Sequence, residues 1–323
     1  MAKYIIKRIL WIIPVSLGVL LLVFGISYMA PGDPIMNMLG TNYTPEAYAQ
    51  LTAQFGLDKP FLVQYWNYLI NIITKFDFGT SYTYGHDVAT ELVSRIGITV
   101  ELGLLSVLVS TILGVSFGVI SATRQYTLMD YSVTIFSLFF AAMPNFWIAL
   151  VAIIIFSLNL GILPSGGMGD WHYLVLPVLA NSLGTVANVV RQSRSAMLEV
   201  IRSDYIRTAR AKGCRERVVI WRHALHNAII PIMTVVGMQL GTVMAGSVVI
   251  ETIFNITGLG SYMLTGISGR DYPIINSCVL VLSVFICIMN LVVDLCYGFA
   301  DPRIRSRYVT AKKKKIAGKE AVQ

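Results

Sequence analysis

Charged residues are scarce in this chain of 323 residues. Only 13% of its residues are Asp, Glu, Lys or Arg, whereas soluble domains typically carry about a quarter. Apolar residues make up 55% of the chain, and the mean hydropathy is +0.68. This composition excludes an ordinary soluble domain and indicates an integral membrane protein.

The sequence also lacks the motifs of several catalytic classes. There is no G-x-x-x-x-G-K-[ST] phosphate loop, and the one Gly-Lys pair, Gly318-Lys319, lies near the end of the chain. The zinc-protease motif H-E-x-x-H is absent, and His223 and His226 have no acidic or cysteine neighbours. No histidine lies in a predicted span to activate a serine nucleophile. We therefore expect no enzyme activity, no metal and no cofactor in this chain.

Cysteine is rare too, with four in the chain. Cys278, Cys287 and Cys296 are nine residues apart in one apolar stretch. Nine residues turn a helix by about 900°, so Cys287 points away from the other two. These thiols cannot meet at one metal ion, and we interpret them as packing residues.

Six apolar stretches are long enough to cross a bilayer as helices. They cover residues 9–29, 96–120, 133–158, 173–190, 229–250 and 274–299. The first follows three basic residues, as a signal peptide would. Its apolar run exceeds the usual length of about 7–15 residues, and "SYMAPGD" is a poor cleavage site. It is therefore predicted to be a retained helix.

Basic residues divide unequally between the two sides of such a membrane. Of the 25 Lys and Arg residues, 21 fall at the N-terminus, in the 121–132 and 191–228 loops and in the tail. Because Lys and Arg accumulate in cytoplasmic loops, both termini are predicted to be cytoplasmic. The charge is thus a topology signal, and nucleic-acid binding is not expected. The four lysines at 312–315 are expected to lie near anionic lipid.

The spans divide the chain into four parts. Residues 1–30 form a first transmembrane helix, residues 31–95 an external segment, residues 96–300 a membrane core, and residues 301–323 a basic tail. In the external segment, Thr44-Pro45-Glu46 is typical of a helix start. Two amphipathic helices over the external mouth and a loop resting on the membrane surface both fit this segment.

Small residues recur in two of the spans. Gly114 and Gly118 lie in the second span, and Gly237 and Gly241 lie in the fifth. Such spacing lets helix backbones approach closely, either for packing or to line a path. Pro144 is predicted to kink the third span, because proline removes a backbone donor.

Two acids lie within the spans, Glu101 near the outer end of the second and Asp294 near the inner end of the sixth. An acid inside a membrane suggests function. Both lie close to water on opposite sides, so they cannot form a catalytic dyad. Structural pairing of Asp294 with Arg303 or another basic group is favoured over proton coupling.

The 191–228 loop is too regular to be a simple connector. Ser203 or Asp204 is typical of a helix N-cap, and Gly213 of a helix stop. A second helix would follow with Val218, Trp221 and Leu225 on one apolar face and lead into the fifth span. This arrangement suits a mechanical part, although an anchor on anionic lipid also fits its arginines.

Residues 200–226 of this loop resemble the cytoplasmic EAA loop of the membrane subunits of binding-protein-dependent ABC importers. Gly213 stands at the family's glycine, while the family's first glutamate and final proline are missing here. "RTARAKG" and "RHALHNAIIP" are similar to the dipeptide, oligopeptide and nickel branch, the DppB/OppB type. The resemblance extends to "IIKRILWIIPVSLGVLLLVFGISYMAPGDP", "FGLDKPFLVQYWNYL", "DFGTSY", "LPSGG" and "FADPRIR".

This resemblance implies an all-α, six-helix permease of the type I, MetI-like class. It implies a subunit in the bacterial or archaeal cytoplasmic membrane, paired with a second permease of the DppC/OppC type, two ATPases that bind ATP and Mg²⁺, and an external binding protein. The implied cargo is di- or oligopeptides, with nickel chelates, glutathione and oligosaccharides as alternatives. The implied ATPase-coupling residues are Tyr205, Arg207, Thr208, Ala209, Lys212, Gly213 and Leu225.

An ion-driven secondary transporter is the rival outside this class. Such a protein is expected to show inverted repeats and a charged site near the midplane. The sequence shows no internal repeat, and its predicted midplane is nearly free of charge.

Overall fold

The computed structural model describes residues 2–40 and 43–300, and this part of the chain is almost entirely helical. The tail 301–323, with Arg303 and the lysines at 312–315, lies outside the described residues. The helices are α1 Ala2–Met29, α2 Pro34–Leu39, α3 Pro45–Phe55, α4 Phe61–Lys75, α5 Val88–Thr123, α6 Leu128–Ala142, α7 Asn145–Ala152, α8 His172–Ile201, α9 Asp204–Ala211, α10 Glu216–Val218, α11 Leu225–Ile253, α12 Leu259–Gly269 and α13 Tyr272–Ala300.

Among the described residues, five helices are long and apolar enough to cross a membrane, and a bent pair of helices would make a sixth. The five are Ile5–Met29, Val88–Thr123, His172–Ile201, Glu216–Ile253 and Tyr272–Leu295. The second span thus begins before residue 96, and the fourth continues well past residue 190. The predicted number of six holds when the bent pair counts as one span.

The bent pair corrects the prediction of a single kinked third span. Between Leu128–Ala142 and Asn145–Asn159 the chain turns by 101°. Pro144 has no N–H to donate to the preceding turn, and Met143 before it is extended, with φ −89° and ψ 131°, as residues before proline prefer. The helix therefore stops and restarts here. A π-helical segment, Ile153–Asn159, then extends α7.

The bundle has two distinct ends. The start of α1, the turn between α5 and α6, and α9 with α10 form one end, which we call the basic end. The opposite end carries α2, α3 and α4 together with α12, and Asn37 donates a hydrogen bond to the Gly269 carbonyl there. The residues between the fifth and sixth predicted spans, 251–273, are thus partly helical.

The segment 31–95 is folded onto the bundle. Thr44 Oγ1 accepts from the Ala47 N–H at the start of α3, and α4 buries Tyr65 and Leu69 against Leu20 of α1. Helices α3 and α4 stand where the two amphipathic helices are expected. Their apolar faces are covered partly by protein.

Helices α5 and α8 pack closely along the glycines of the second span. A Cβ on Gly114 would lie 2.5 Å from Val189 Cβ, and one on Gly118 would lie 2.5 Å from Ser193 Cβ and 2.8 Å from the Val190 carbonyl oxygen. Real Cβ atoms are not found this close to other atoms. The backbone of α5 therefore reaches α8 only because these positions carry no side chain.

The two glycines of the fifth span differ from each other. A Cβ on Gly237 would lie 2.3 Å from Val293 Cγ1 on α13, whereas one on Gly241 would meet only Ile286 Cγ2, at 3.9 Å. Gly241 is thus in ordinary contact and has room for a methyl group.

We predict that Gly118→Ala destabilises the protein and that Gly241→Ala does not. At Gly118 the added methyl meets backbone atoms that cannot move aside, at a cost of roughly 1–3 kcal/mol. At Gly241 alanine gains up to about 1 kcal/mol in helix propensity. Denaturation of the purified variants in mixed micelles measures both changes. A loss of equal size in both variants would contradict the packing argument.

Candidate functional site

Helix α9, Asp204–Ala211, is a short helix at the basic end that follows Ser203 and ends shortly before Gly213. Ser203 occupies the position before it, and its carbonyl accepts from the Ile206 and Arg207 N–H groups. The Ser203 hydroxyl does not cap the helix, because it donates to the Val200 carbonyl at 2.6 Å. The predicted start is therefore confirmed in position, but the expected side-chain cap is not formed.

The C-terminal end of α9 depends on Gly213, whose φ is +77°. Only glycine adopts this left-handed conformation without strain. The Gly213 N–H donates to the Arg210 carbonyl, and the Cys214 N–H donates to that of Ala209. The chain thus reverses sharply into α10. Nothing lies within 4 Å of a Cβ placed on Gly213, so the residue is exposed on the outside of the turn.

One side chain anchors α9 in the bundle. Ile206 is 0% exposed and packs in a cluster with Val119 of α5, Met197 of α8 and Val219 beyond the glycine turn. Ala209 lies at the edge of the same cluster. Any displacement of α9 therefore moves groups on α5, α8 and the start of α11.

An ion pair braces the glycine turn. Arg210 Nη2 lies 2.7 Å from Glu216 Oε1, and Arg210 Nε donates to Glu216 Oε2 at 3.1 Å. The hydrogen bond to this carboxylate raises the pKa of the Arg210 guanidinium above its usual value. The pair links α9 to α10 across the turn.

The outward face of α9 is exposed, and no other part of the chain that the structure describes covers it. Tyr205 is 48% exposed, the Arg207 side chain is 74% exposed, and Thr208 and Lys212 are exposed as well. Four of the predicted coupling residues are thus on this face. Of the other three, Ala209 and Leu225 are half-buried and Gly213 forms the turn.

The apolar face predicted for the helix after Gly213 is wrong. Val219, Ile220 and Ala224 are buried, while Val218 and Trp221 are 39% and 50% exposed. Residues 218–221 are all apolar, so local spacing does not decide which of them faces the core. The packing of Val219 and Ile220 against Ile206 and Met197 decides it.

A buried ion pair at the same end was not predicted. Asp130 at the start of α6 is 3% exposed, and both its oxygens accept from Arg194 of α8, at 2.9 and 2.8 Å. Ser121 of α5 donates to the same carboxylate, as does the Tyr126 N–H. The cluster joins α5, α6 and α8 at the basic end.

The sequence held only a weak signal for this pair. Asp130 stands alone at the start of an apolar run, and Arg194 was counted simply as a basic residue of a cytoplasmic loop. The two residues are 64 positions apart, and no local pattern connects them.

The two acids singled out in the spans lie in different surroundings. Asp294 Oδ2 is 2.8 Å from Arg8 Nη2, with side-chain exposures of 20% and 47%. The paired base is thus Arg8, while Arg303 lies outside the described residues. Glu101 is exposed on α5. No hydrogen bond or ion pair is found for Glu101 among the described residues.

A third acid, Glu251, directly follows the fifth predicted span and is fully buried near the opposite end. Thr99 Oγ1 donates to Glu251 Oε1 at 2.7 Å, and the Ser261 N–H donates to Oε2 at 2.9 Å. The Leu259 N–H in turn donates to Thr99 Oγ1. Glu251 therefore caps the first turn of α12 and fixes it between α5 and α11.

Within the described residues, no group of three His, Cys, Asp or Glu side chains is placed to hold a metal ion. The arrangement at the basic end instead suits mechanical transmission: a small exposed helix, a glycine turn and a rigid connection to three long helices.

Comparison with known proteins places this geometry in context. Residues 114–306 match the family model described as binding-protein-dependent transport system inner membrane component. Residues 1–103 match the model for the N-terminal part of such membrane components.

Two relatives are similar over almost the whole chain. The dipeptide transport system permease protein DppB of Alkalihalophilus pseudofirmus is 38% identical, with 94% of this chain and 100% of the relative covered. The oligopeptide transport system permease protein AppB of Bacillus subtilis is also 38% identical, with 94% and 99% covered.

A solved structure supports the fold. The chain is similar to one in an inward-facing conformation of the MetNI methionine ABC transporter, with a TM-score of 0.57 and 18% identity. The match covers 66% of this chain and 97% of that one. The permease fold of ABC importers is therefore shared.

We predict that Asp130→Ala lowers the free energy of unfolding by about 3 kcal/mol. Removing one partner of a buried pair costs about 3–5 kcal/mol, and the Arg194 side chain is 30% exposed, which favours the lower figure. Denaturation in mixed micelles measures the change.

The matched control is Asp204→Ala on α9, whose side chain is 98% exposed. Its removal should leave stability almost unchanged. Equal stability of the two variants would contradict the role assigned to the Asp130–Arg194 pair.

Proposed function

The chain belongs to the binding-protein-dependent transport system inner membrane components, the permeases of ABC importers, and we propose from this premise that it moves di- or oligopeptides across the cytoplasmic membrane. It is a transport subunit, and ATP hydrolysis belongs to separate subunits of the complex. The observation that carries the peptide substrate is the similarity, over nearly the full length, to permeases of dipeptides and oligopeptides. No feature of the described residues favours nickel chelates, glutathione or oligosaccharides over peptides.

We further propose that α9 is the coupling helix. Its outward face, with Tyr205, Arg207, Thr208 and Lys212, would dock on an ATPase subunit. Ile206 would carry the resulting motion to α5 and α8, because its side chain is fully buried among theirs. The Arg210–Glu216 pair would keep the glycine turn stiff enough to transmit force.

In the proposed complex this chain contacts three kinds of protein partner and membrane lipid. Two ATPase subunits bind ATP and Mg²⁺, a second homologous permease of the DppC/OppC type completes the pathway, and an external binding protein delivers the peptide. Membrane lipid surrounds the exposed apolar faces. The rotation of subunits against each other would open the path, since interfaces of this kind switch between discrete arrangements.

The orientation follows from charge. The stretch 202–222, which contains α9 and α10, carries seven of the nine basic residues of the 191–228 loop, so we place the basic end, and both termini, in the cytoplasm. The opposite end with α2, α3, α4 and α12 would then face the binding protein.

We predict that Gly213→Glu leaves the chain inserted and folded but reduces ATP-driven peptide uptake by roughly tenfold or more. This is the loss expected when a coupling free energy of about 1–3 kcal/mol between ATP hydrolysis and transport disappears. Glutamate is strained at φ +77° and puts a negative charge beside the docking face. Uptake of a labelled dipeptide and ATP hydrolysis by the reconstituted complex are measured together, and hydrolysis should continue.

Gly161→Glu is the matched control, because Gly161 has φ +63° and open space around its Cβ but lies in the loop between α7 and α8. This variant should retain uptake. Normal uptake by Gly213→Glu would refute the coupling role of α9, and absence of any peptide uptake by the wild-type complex would refute the peptide substrate.

A further inference from the structure

A cavity of about 700 Å³ lies at the opposite end of the bundle, far from α9. It is open on one side, and its lining comes from the last turns of α1, the segment with α2, α3 and α4, and the start of α13. Its volume falls in the range of about 300–1,000 Å³ that is typical of small-molecule sites. We call it the Asn276 cavity, after the buried side chain described below.

Neutral aromatic groups form much of its wall. Tyr48, Tyr68, Tyr82 and Tyr272 all line it, and the Tyr68 hydroxyl is 2.8 Å from Ser277 Oγ. Burial raises the pKa of the Tyr68 and Tyr82 phenols, so both remain uncharged at physiological pH. Such rings pack against apolar side chains, and their hydroxyls bond to polar groups.

A buried acceptor in the lining lacks a donor. Asn276 is 2% exposed, and its Oδ1 has no hydrogen-bond partner among the described residues. Buried polar atoms without a partner are rare and destabilising. A ligand that donates an N–H at this position would satisfy the Asn276 carbonyl oxygen.

Two opposite charges border the same space. The lining residues that carry charge, as far as the structure describes them, are Asp33 and Lys59. Asp33 Oδ1 accepts from the Ile35 and Met36 N–H groups and Oδ2 accepts from the Tyr48 hydroxyl, which leaves one lone pair of Oδ2 for an ammonium group. Lys59 is exposed, and no ion pair is found for it in the described part of the chain.

We propose that the Asn276 cavity binds short peptides with free termini. Asn276 accepts from a peptide N–H, Asp33 receives the terminal ammonium, Lys59 receives the terminal carboxylate, and the tyrosines hold the side chains. This inference rests on the proposed peptide substrate and makes it more specific, because it places a peptide site on the permease itself.

The test measures binding of L-alanyl-L-phenylalanine to the purified full chain in lipid nanodiscs by calorimetry, without binding protein or ATP. We expect saturable binding that Asn276→Leu weakens by roughly tenfold, the effect of losing one hydrogen bond to a buried acceptor. The matched control is Asn290→Leu, the same change at an exposed position of the same helix, which should bind as the wild type does.

A second variant keeps the test decisive if Asn276→Leu fails to fold. Lys59→Gln alters an exposed side chain, so folding should be unaffected. It should weaken binding of the dipeptide but not that of its C-terminal amide, which offers no carboxylate to Lys59. A variant that loses affinity for both compounds equally would overturn the assigned role of Lys59.

Two results would overturn the proposal: no saturable binding to the wild-type chain, or equal affinity in the wild type, Asn276→Leu and Lys59→Gln. Peptide uptake by the assembled complex distinguishes this failure from that of the proposed function. Uptake without binding in the cavity overturns the cavity assignment alone. Binding without any uptake supports the cavity and overturns the proposed transport of peptides.

Discussion

The contact between α5 and α8 forms the frame against which α6 and α9 pack at the basic end. Gly114 and Gly118 let the two backbones meet, since a Cβ at either position would lie 2.5 Å from an atom of α8. Near the basic end of this contact, Arg194 of α8 and Ser121 of α5 hold the Asp130 carboxylate. Helix α9 then places Ile206 against the same two helices. The pair therefore forms a frame, and α9 is the exposed part fastened to it.

The opposite end is organised by polar groups that lie deep in the protein. Glu251 is fully buried, and Thr99 and the Ser261 N–H satisfy its two oxygens. A carboxyl group buried among apolar side chains is stable only when its oxygens accept hydrogen bonds. The first turn of α12 is therefore held beside Glu251, to which its Ser261 N–H donates. Asp271 is held through one oxygen, since Ser81 Oγ and the Thr83 N–H both donate to its Oδ2. These contacts explain why the segment after α1 and the segment after α11 form one folded cap.

Much of this architecture could be predicted from the sequence, because the signals are local. The apolar runs predicted the spans, the position of Ser203 and of Gly213 predicted α9, and Thr44-Pro45 predicted the start of α3. The pairs Asp130–Arg194 and Thr99–Glu251 could not be predicted, since they join positions 64 and 152 residues apart. The buried face after Gly213 was misassigned because residues 218–221 are all apolar, and only the packing against Ile206 and Met197 shows which of them are buried. Pro144 predicted a kink in the third span. The size of the bend, 101°, also depends on the packing of α6 and α7 against α8.

The central claim is that the exposed face of α9 binds an ATPase subunit, and cross-linking tests it most directly. Both variants are made in a chain whose exposed Cys214 is replaced by serine. Thr208→Cys puts a thiol on the exposed face of α9, and Thr257→Cys puts one at an exposed position of the opposite end. Membranes containing the whole complex are treated with a short thiol-to-amine cross-linker, and the products are identified by mass. We predict a product with the ATPase from Thr208→Cys and none from Thr257→Cys. An ATPase product from Thr257→Cys alone, or from neither variant in an intact complex, would contradict the account.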